Sequence, residues 1–246
     1  MNMNIVKFGG SIVNPDGKYD NSVIQEFVDL VSESEDRFIF VVGGGSICRK
    51  VQDAAQSYVN EALTQDSCRD RARDIIGIAT THINAQYVLD HFKSKLGVAV
   101  YHEVILDPTL PVKGDYKVYF TGGWKPGCST DKDMMLLAKN FNAERVFKIS
   151  DFEIVKDINP IELSKMSKDE QKKALIEAPE IPEMNWEKLV SLVGTKWDPG
   201  LSTPFDPRAA QIGYDLREKL LMYIVRKEEL SKILRGEEYR GTLVKG

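Results

Sequence analysis

Phe38-Ile39-Phe40-Val41-Val42-Gly43-Gly44-Gly45-Ser46 is the stretch whose reading decides the fold. Five apolar residues run without a polar break into three glycines and a serine, and Val51, Ala54, Ala55 and Tyr58 follow at helical spacing. Such a run reads as a strand buried on both faces, and a strand that turns through glycine into a helix opens a parallel α/β unit. The same order recurs on either side: Asn4–Phe8 ends in Gly9-Gly10-Ser11, and Lys117–Phe120 ends in Thr121-Gly122-Gly123. Val23, Ile24, Phe27, Val28 and Val31 predict an amphipathic helix over about residues 22–33. Ile75, Ala79, Ile83 and Tyr87 mark another long helix, Asp131–Phe141 reads as helical, and Val146–Ile149 as a fourth strand. Further on, Pro207–Lys219 and Glu228–Arg235 read as helices, and Leu220–Val225 and Thr242–Val244 as strands. This alternation predicts a three-layer α/β/α sandwich around a mainly parallel central sheet. We expect one domain over 1–246, with lobes at 1–145 and 146–246.

Composition narrows the function classes. The 246 residues carry 33 Lys+Arg against 37 Asp+Glu, a formal net charge of −4, which gives no general case for nucleic-acid binding. With 42% apolar residues, the chain can bury an ordinary core without staples. Cys48, Cys68 and Cys128 form no C-x-x-C pair, and His82, His91 and His102 show no ligand spacing. No disulfide framework and no protein-held metal are therefore expected, and a reducing cytoplasm is the expected compartment. The most apolar run is five residues, whereas a membrane span needs roughly 20, so no membrane partner is expected. Met1–Gly10 has no long apolar stretch behind a basic start, so no secretory signal is expected.

Three strand-to-glycine elements form the main chemical signal. Glycine lets backbone approach a ligand closely, and a following helix N-terminus adds aligned N–H donors, a setting that suits phosphate. A single such loop reads equally as a tight turn; three in one short α/β chain favour two phosphorylated ligands. The chain has no G-x-x-x-x-G-K-[ST], no G-x-G-x-x-G and no G-x-S-x-G, which argues against P-loop, dinucleotide-binding and nucleophile-elbow chemistry. Lys7 lies just before Gly9-Gly10. It is either a lysine snorkelling from an edge strand or a cation set against a transferred phosphoryl group. Asp131, in Ser129-Thr130-Asp131, is either a helix N-cap or an orienting partner for lysines around phosphates. Cys128 has no histidine in a partnering motif, which disfavours a thiol nucleophile. Glu162–Pro179, rich in Lys, Glu and Asp, reads as a solvated helix followed by an extended linker, or as a lid over a nucleotide.

The ordered motifs resemble the amino acid kinase superfamily, and within it the archaeal-type UMP kinases. They are Val6-Lys7-Phe8-Gly9-Gly10-Ser11, then Val41–Gly45 with Arg49-Lys50, then Asp74-Ile75-Ile76-Gly77-Ile78 leading to Asn84-Ala85. Gly122–Asp131 and Asp206-Pro207 with Ala209-Ala210 complete the set, which spans nearly the whole chain. The resemblance implies ATP-dependent phosphoryl transfer to UMP in pyrimidine metabolism, with ATP and Mg²⁺, by a homo-oligomer. Lys7 and Asp131 would be catalytic, Lys7 on the transferred phosphoryl group and Asp131 organising it. Gly9 and Gly10, with Ser11, would cradle the donor phosphates, and Gly45 and Arg49 would lie between donor and acceptor. Ser150 and Asp151 would begin the ATP site, which continues through Lys156 and Asn159. Gly44 would approach the acceptor phosphate, Asp74 the ribose hydroxyls, and Gly122, Gly123, Ser129 and Thr130 the pyrimidine nucleotide.

The sequence departs from that pattern in three places. Lys156 and Asn159 stand where the family usually has an aromatic Tyr and an acidic residue in the ATP loop, so an aromatic face would have to come from Trp186 or Trp197. Trp124-Lys125 replaces a Thr-His pair, and Gly194–Gly200 has no family counterpart. Two alternatives follow: a kinase for another phosphate or carboxylate metabolite, and a nucleotide- or oxyanion-binding protein without turnover. Isopentenyl phosphate kinases share the fold but carry a His in the loop that here reads Gly43-Gly44-Gly45-Ser46.

Overall fold

β1 (Met3–Phe8), β2 (Arg37–Val42), β4 (Val118–Thr121) and β3 (Val100–Ile105) form the sheet of the first of two compact units, Met1–Ala143, in the order β3-β4-β2-β1. All the pairings among them are parallel. The computed structural model describes residues 2–194 and 203–246. Phe38 to Val42 are all fully buried, as an unbroken apolar run in a strand covered on both faces requires. Five helices serve this sheet: α1 (Gly10–Val13), α2 (Asn21–Glu33), α3 (Gly45–Ala62), α4 (Asp66–Leu96) and α5 (Thr130–Asn140). Asp20 starts α2 by accepting from the Ser22 and Val23 amides, and Val23, Ile24, Phe27, Val28 and Val31 all face inward. The core is aromatic. Phe40 sits 5.2 Å from Phe92 and 5.4 Å from Phe120, and Phe8 lies 4.4 Å from Phe27, between ring centroids.

The second unit, Glu144–Gly246, orders its strands β5 (Arg145–Ile149), β9 (Leu221–Val225), β10 (Gly241–Lys245) and β8 (Glu183–Asn185). The outer pairs are parallel, and β9 and β10 run antiparallel. β6 (Val155–Lys156) and β7 (Glu180–Ile181) make a separate antiparallel ribbon. The helices are α6 (Pro160–Ser164), α7 (Lys168–Glu177), α8 (Trp186–Val193), α9 (Pro207–Asp215) and α10 (Lys227–Leu234). Pro207 occupies the first turn of α9, where its missing N–H is not needed, and Asp206 caps that end. The fold is thus the expected α/β class, a mainly parallel sheet flanked by helices.

Several local expectations change. α7 is the solvated helix expected within Glu162–Pro179: it carries a Ser167–Glu170 capping box and buries no residue. An extended linker does not follow it, because β7 pairs with β6 directly after it. The apolar row Ile75, Ala79, Ile83 on α4 faces outward; Ile75 and Ile83 are 49% and 63% exposed. The buried face of α4 is Thr80, Thr81, Asn84, Ala85, Val88, Leu89 and Phe92. Of the Gly194–Gly200 segment, everything after Gly194, including Trp197, lies outside the described residues.

Candidate active site

The register of the first sheet brings the three glycine loops together. Phe8 pairs with Val42, and Val41 pairs with Thr121, so three parallel strands end at one level. Gly9-Gly10, Gly43-Gly44-Gly45 and Gly122-Gly123 therefore leave the same carboxyl edge side by side, where ligands of open α/β sheets bind.

Lys7 lies one residue before the end of β1, opposite Val41. Its ammonium does not snorkel to solvent but meets Asp131: Nζ to Oδ1 is 2.5 Å, with the two side chains 17% and 9% exposed. Asp131 is not the cap of α5. Ser129 is, its hydroxyl accepting from the Lys132 amide at 3.2 Å, and this leaves Asp131 in the first turn for the lysine. A cation held by a carboxylate that is itself fixed on a helix is a preorganised charge.

The first and second loops touch backbone to backbone. A Cβ on Gly10 would fall on the Gly45 backbone, and one on Gly45 would strike Gly10 and Asn14. Gly45 also has φ +62°, a region side chains rarely adopt. Gly44 precedes α3 as its N-cap residue, while Arg49 and Ser11 are exposed. Asn84 of α4 donates to the carbonyls of Gly43 at 2.9 Å and Gly44 at 3.0 Å, and accepts from the Tyr19 hydroxyl at 2.8 Å.

α4 holds the third loop as well. The Gly123 amide donates to Thr81 Oγ1 at 2.6 Å, and His82 Nε2 donates to the Gly123 carbonyl at 2.7 Å. Farther along, the Gly127 amide donates to Asp74 Oδ2 at 2.8 Å. Asp74 is thereby tied to the segment that leads from Gly122-Gly123 to Ser129 and Thr130. Trp124, whose amide donates to Asp133 at 3.1 Å, carries the Lys125 ammonium 3.6 Å from its ring centroid. Cys48 beside Gly44 is no nucleophile candidate, because burial pushes its thiol pKa up.

In the second unit a pocket of about 360 Å³ is lined by Phe152, Ile154, Val155, Lys156, Ile158, Pro160, Leu163, Leu175, Thr203 and Pro204, among others. Lys156 reaches across its ribbon to Glu180, Nζ to Oε1 3.2 Å, and Arg240 meets the same carboxylate at 2.7 Å. Asn159 is engaged in capping α6 through the Ile161 and Glu162 amides, and Pro160 after it lines the pocket. The Ser150 hydroxyl donates to the Phe152 carbonyl at 2.8 Å, and the Asp151 carbonyl accepts from Arg226 at 3.3 Å; both lead into the pocket wall at Phe152. Trp186 cannot offer a face to a ligand: it is fully buried, its indole donating to the Leu220 carbonyl at 3.2 Å. Sequence reasoning missed Tyr19, Thr81, His82 and the role of Asn84. The available signal was a run of polar residues, Thr80, Thr81 and Asn84, on a helix face that also carries Ala85 and Val88.

The chain is similar to known proteins along its length. A uridylate kinase of Methanococcus aeolicus is 25% identical over 249 residues, covering 98% of each chain, and one of Pyrococcus abyssi is 28% identical over 251 residues with the same coverage. The crystal structure of uridylate kinase from Archaeoglobus fulgidus matches with a TM-score of 0.72 at 22% identity, over 99% of this chain and 100% of that one. The UMP kinase structure from Bacillus anthracis matches at 0.68 and 16% identity, over 99% and 96%. These two structures speak to the fold. The family description that matches is that of the amino acid kinase family, over residues 2–213. Because that match takes in the glycine loops of the first unit and runs on through most of the second, the chain belongs to the amino acid kinase family.

Proposed function

We propose that the chain is a nucleoside monophosphate kinase of the uridylate kinase type, moving the γ-phosphoryl group of ATP onto UMP to give ADP and UDP. The observation that carries this reading is the Lys7–Asp131 pair at the shared end of three in-register glycine loops. The uridylate kinases matched along 98% of the chain support it. The transferred group spreads negative charge over its equatorial oxygens, so catalysis is positioning and charge neutralisation. Lys7 supplies the charge, and Asp131 keeps it in place. Gly9, Gly10 and Ser11 take the donor phosphates, Gly44 the acceptor phosphate, and Gly45 and Arg49 the space between. Asp74 takes the ribose hydroxyls, and Gly122, Gly123, Ser129 and Thr130 the pyrimidine. The second unit serves the ATP base through Ser150, Asp151, Lys156 and Asn159 and the pocket beside them. Mg²⁺ would come with the nucleotide and be held on its phosphates. Bound there, the ion supplies further charge neutralisation.

The test is ADP formation with a panel of monophosphates. UMP is expected to be preferred over dUMP by about tenfold or more, because a carboxylate placed for the ribose hydroxyls loses a partner in dUMP. Asp74→Ala should shrink that ratio. Turnover with another monophosphate but not UMP would reassign the acceptor. One observation favours a second reading, nucleotide binding without turnover: Lys156, paired with Glu180, stands where the family's aromatic ring is expected. ATP binding with no turnover on any acceptor would support that reading.

The donor site should be weakly base-selective. Lysine cannot reproduce a planar stack, worth roughly 1–3 kcal/mol per base in nucleic-acid systems. Calorimetry should give ATP and GTP affinities within about tenfold of each other, and Lys156→Tyr should tighten ATP by about tenfold. Strong ATP selectivity in the wild type would refute this. Self-association belongs to the proposal too. The apolar face of α2 is spent on the core, whereas Val51, Tyr58, Ile75 and Ile83 of α3 and α4 are exposed and suit a second copy. No helix among the described residues is long and apolar enough to cross a membrane, and the proposed place of action is the cytoplasm.

A further inference from the structure

Asn84 has no exposed surface, and its amide is oriented by what surrounds it. Two carbonyls, of Gly43 and Gly44, need donors, and only the Nδ2 side supplies them. The Tyr19 hydroxyl meets the other end, Oδ1, as a donor. Tyr19 is itself fixed. Its ring stacks on Tyr87 with centroids 3.7 Å apart, and the Tyr87 hydroxyl donates to Asn21 at 2.8 Å. Burial, and then the neighbouring Tyr87, raise the Tyr19 pKa above the ordinary phenol value, so the hydroxyl keeps its proton to donate.

The two glycine carbonyls decide where two amides point. Every peptide bond among the described residues is trans, and in a trans peptide C=O and the next N–H point in opposite directions. With the carbonyls of Gly43 and Gly44 drawn to Asn84, the N–H groups of Gly44 and Gly45 are turned away from α4. The first glycine loop packs against this backbone, for a Cβ on Gly10 would fall on Gly45 N. The neighbouring Ser46 amide is already taken, donating to Asn14 Oδ1 at 3.1 Å. These amides open α3, where N–H groups have no partner within the helix.

We propose that Asn84, held by Tyr19, is a positioning residue for the acceptor phosphate: by drawing back the Gly43 and Gly44 carbonyls it aims the Gly44 and Gly45 amides at that group. The proposal rests on the reading of the second glycine loop as the acceptor-phosphate loop. It gives the buried asparagine a task that core packing does not explain, since an apolar side chain could fill the space but could not turn the loop.

Tyr19→Phe tests it with the ring and its stack retained. The KM for UMP should rise about fivefold or more, while kcat, the KM for ATP and the melting temperature stay near wild type, because one hydrogen bond on the acceptor side is lost. Asn84→Ala should raise the UMP KM by about another tenfold. Hydrogen exchange read by mass spectrometry on the apo protein gives a readout without substrate. In Tyr19→Phe the amides of residues 43–48 should exchange about tenfold faster, with residues 9–13 unchanged. An unaltered UMP KM, or a rise in both KM values together with a large fall in melting temperature, would overturn the proposal. If the wild type turns over no UMP, the acceptor assignment fails separately, and unchanged exchange at 43–48 then overturns the loop-orienting role as well.

Discussion

Lys7→Met is expected to lower kcat by about 10²–10³-fold in a protein that remains folded, the loss typical of removing one preorganised charge from a developing transition state. Methionine keeps the apolar stem against its neighbours and deletes only the ammonium. Lys7 lies one residue before the end of β1, where the strand turns into Gly9-Gly10, and its ammonium is held 2.5 Å from Asp131. A lysine with only a structural task would not need a buried carboxylate to hold its ammonium beside the first glycine loop. Stability should fall modestly, by a few degrees in Tm, because the 9% exposed Asp131 loses its counter-ion. Steady-state kinetics with saturating ATP and UMP, beside a thermal melt, decide the matter. A kcat within about threefold of wild type would return Lys7 to the role of a packed strand residue.

Asp131→Asn is expected to lower kcat by about 10–10²-fold, again without unfolding, because the change keeps shape and removes charge. The helix start does not depend on it, since Ser129 caps α5 through the Lys132 amide. Ser129→Ala should instead lose about 1 kcal/mol of stability and raise the KM for UMP through the pyrimidine pocket, without the fall in kcat expected of Asp131→Asn. The double variant Lys7→Met with Asp131→Asn separates a unit from two independent contributors. Residues that act as one give a double variant hardly worse than the worse single one. If the two losses multiply instead, Asp131 acts on substrate directly and the pair is not a functional unit.

The strands that carry the site were legible because they are buried on both faces. Phe38–Val42 could hardly be anything else, and Asn4–Phe8 and Lys117–Phe120 share its signature. β3 was not legible. It stands at the outer end of the strand order, and His102 and Glu103 interrupt its apolar pattern with exposed residues. β6, β7 and β8 are two or three residues long, too short for any period to register. α4 misled more instructively. Its isoleucines advertise a core face, yet Thr81 and Asn84 face inward because what they pack against is loop backbone, which wants hydrogen bonds and not hydrocarbon. Lys7 and Asp131 were legible as candidates because a charged residue stood at a strand end and at a helix start. That they meet, 124 residues apart in sequence, is a property of the parallel sheet alone.

The contact between Gly10 and Gly45 also bears on how such a sequence can vary over generations. At each position the obstacle to a side chain includes the other loop's backbone, which no neighbouring substitution can trim away. A library randomised at 10 and 45 and selected only for soluble, folded protein should therefore return glycine at both, with or without any demand for turnover. Lys7 and Asp131 should drift under the same selection, since methionine and asparagine fill their places. Invariance of the glycines across descendants would record how closely two loops lie, whereas invariance of the lysine and the aspartate would record chemistry.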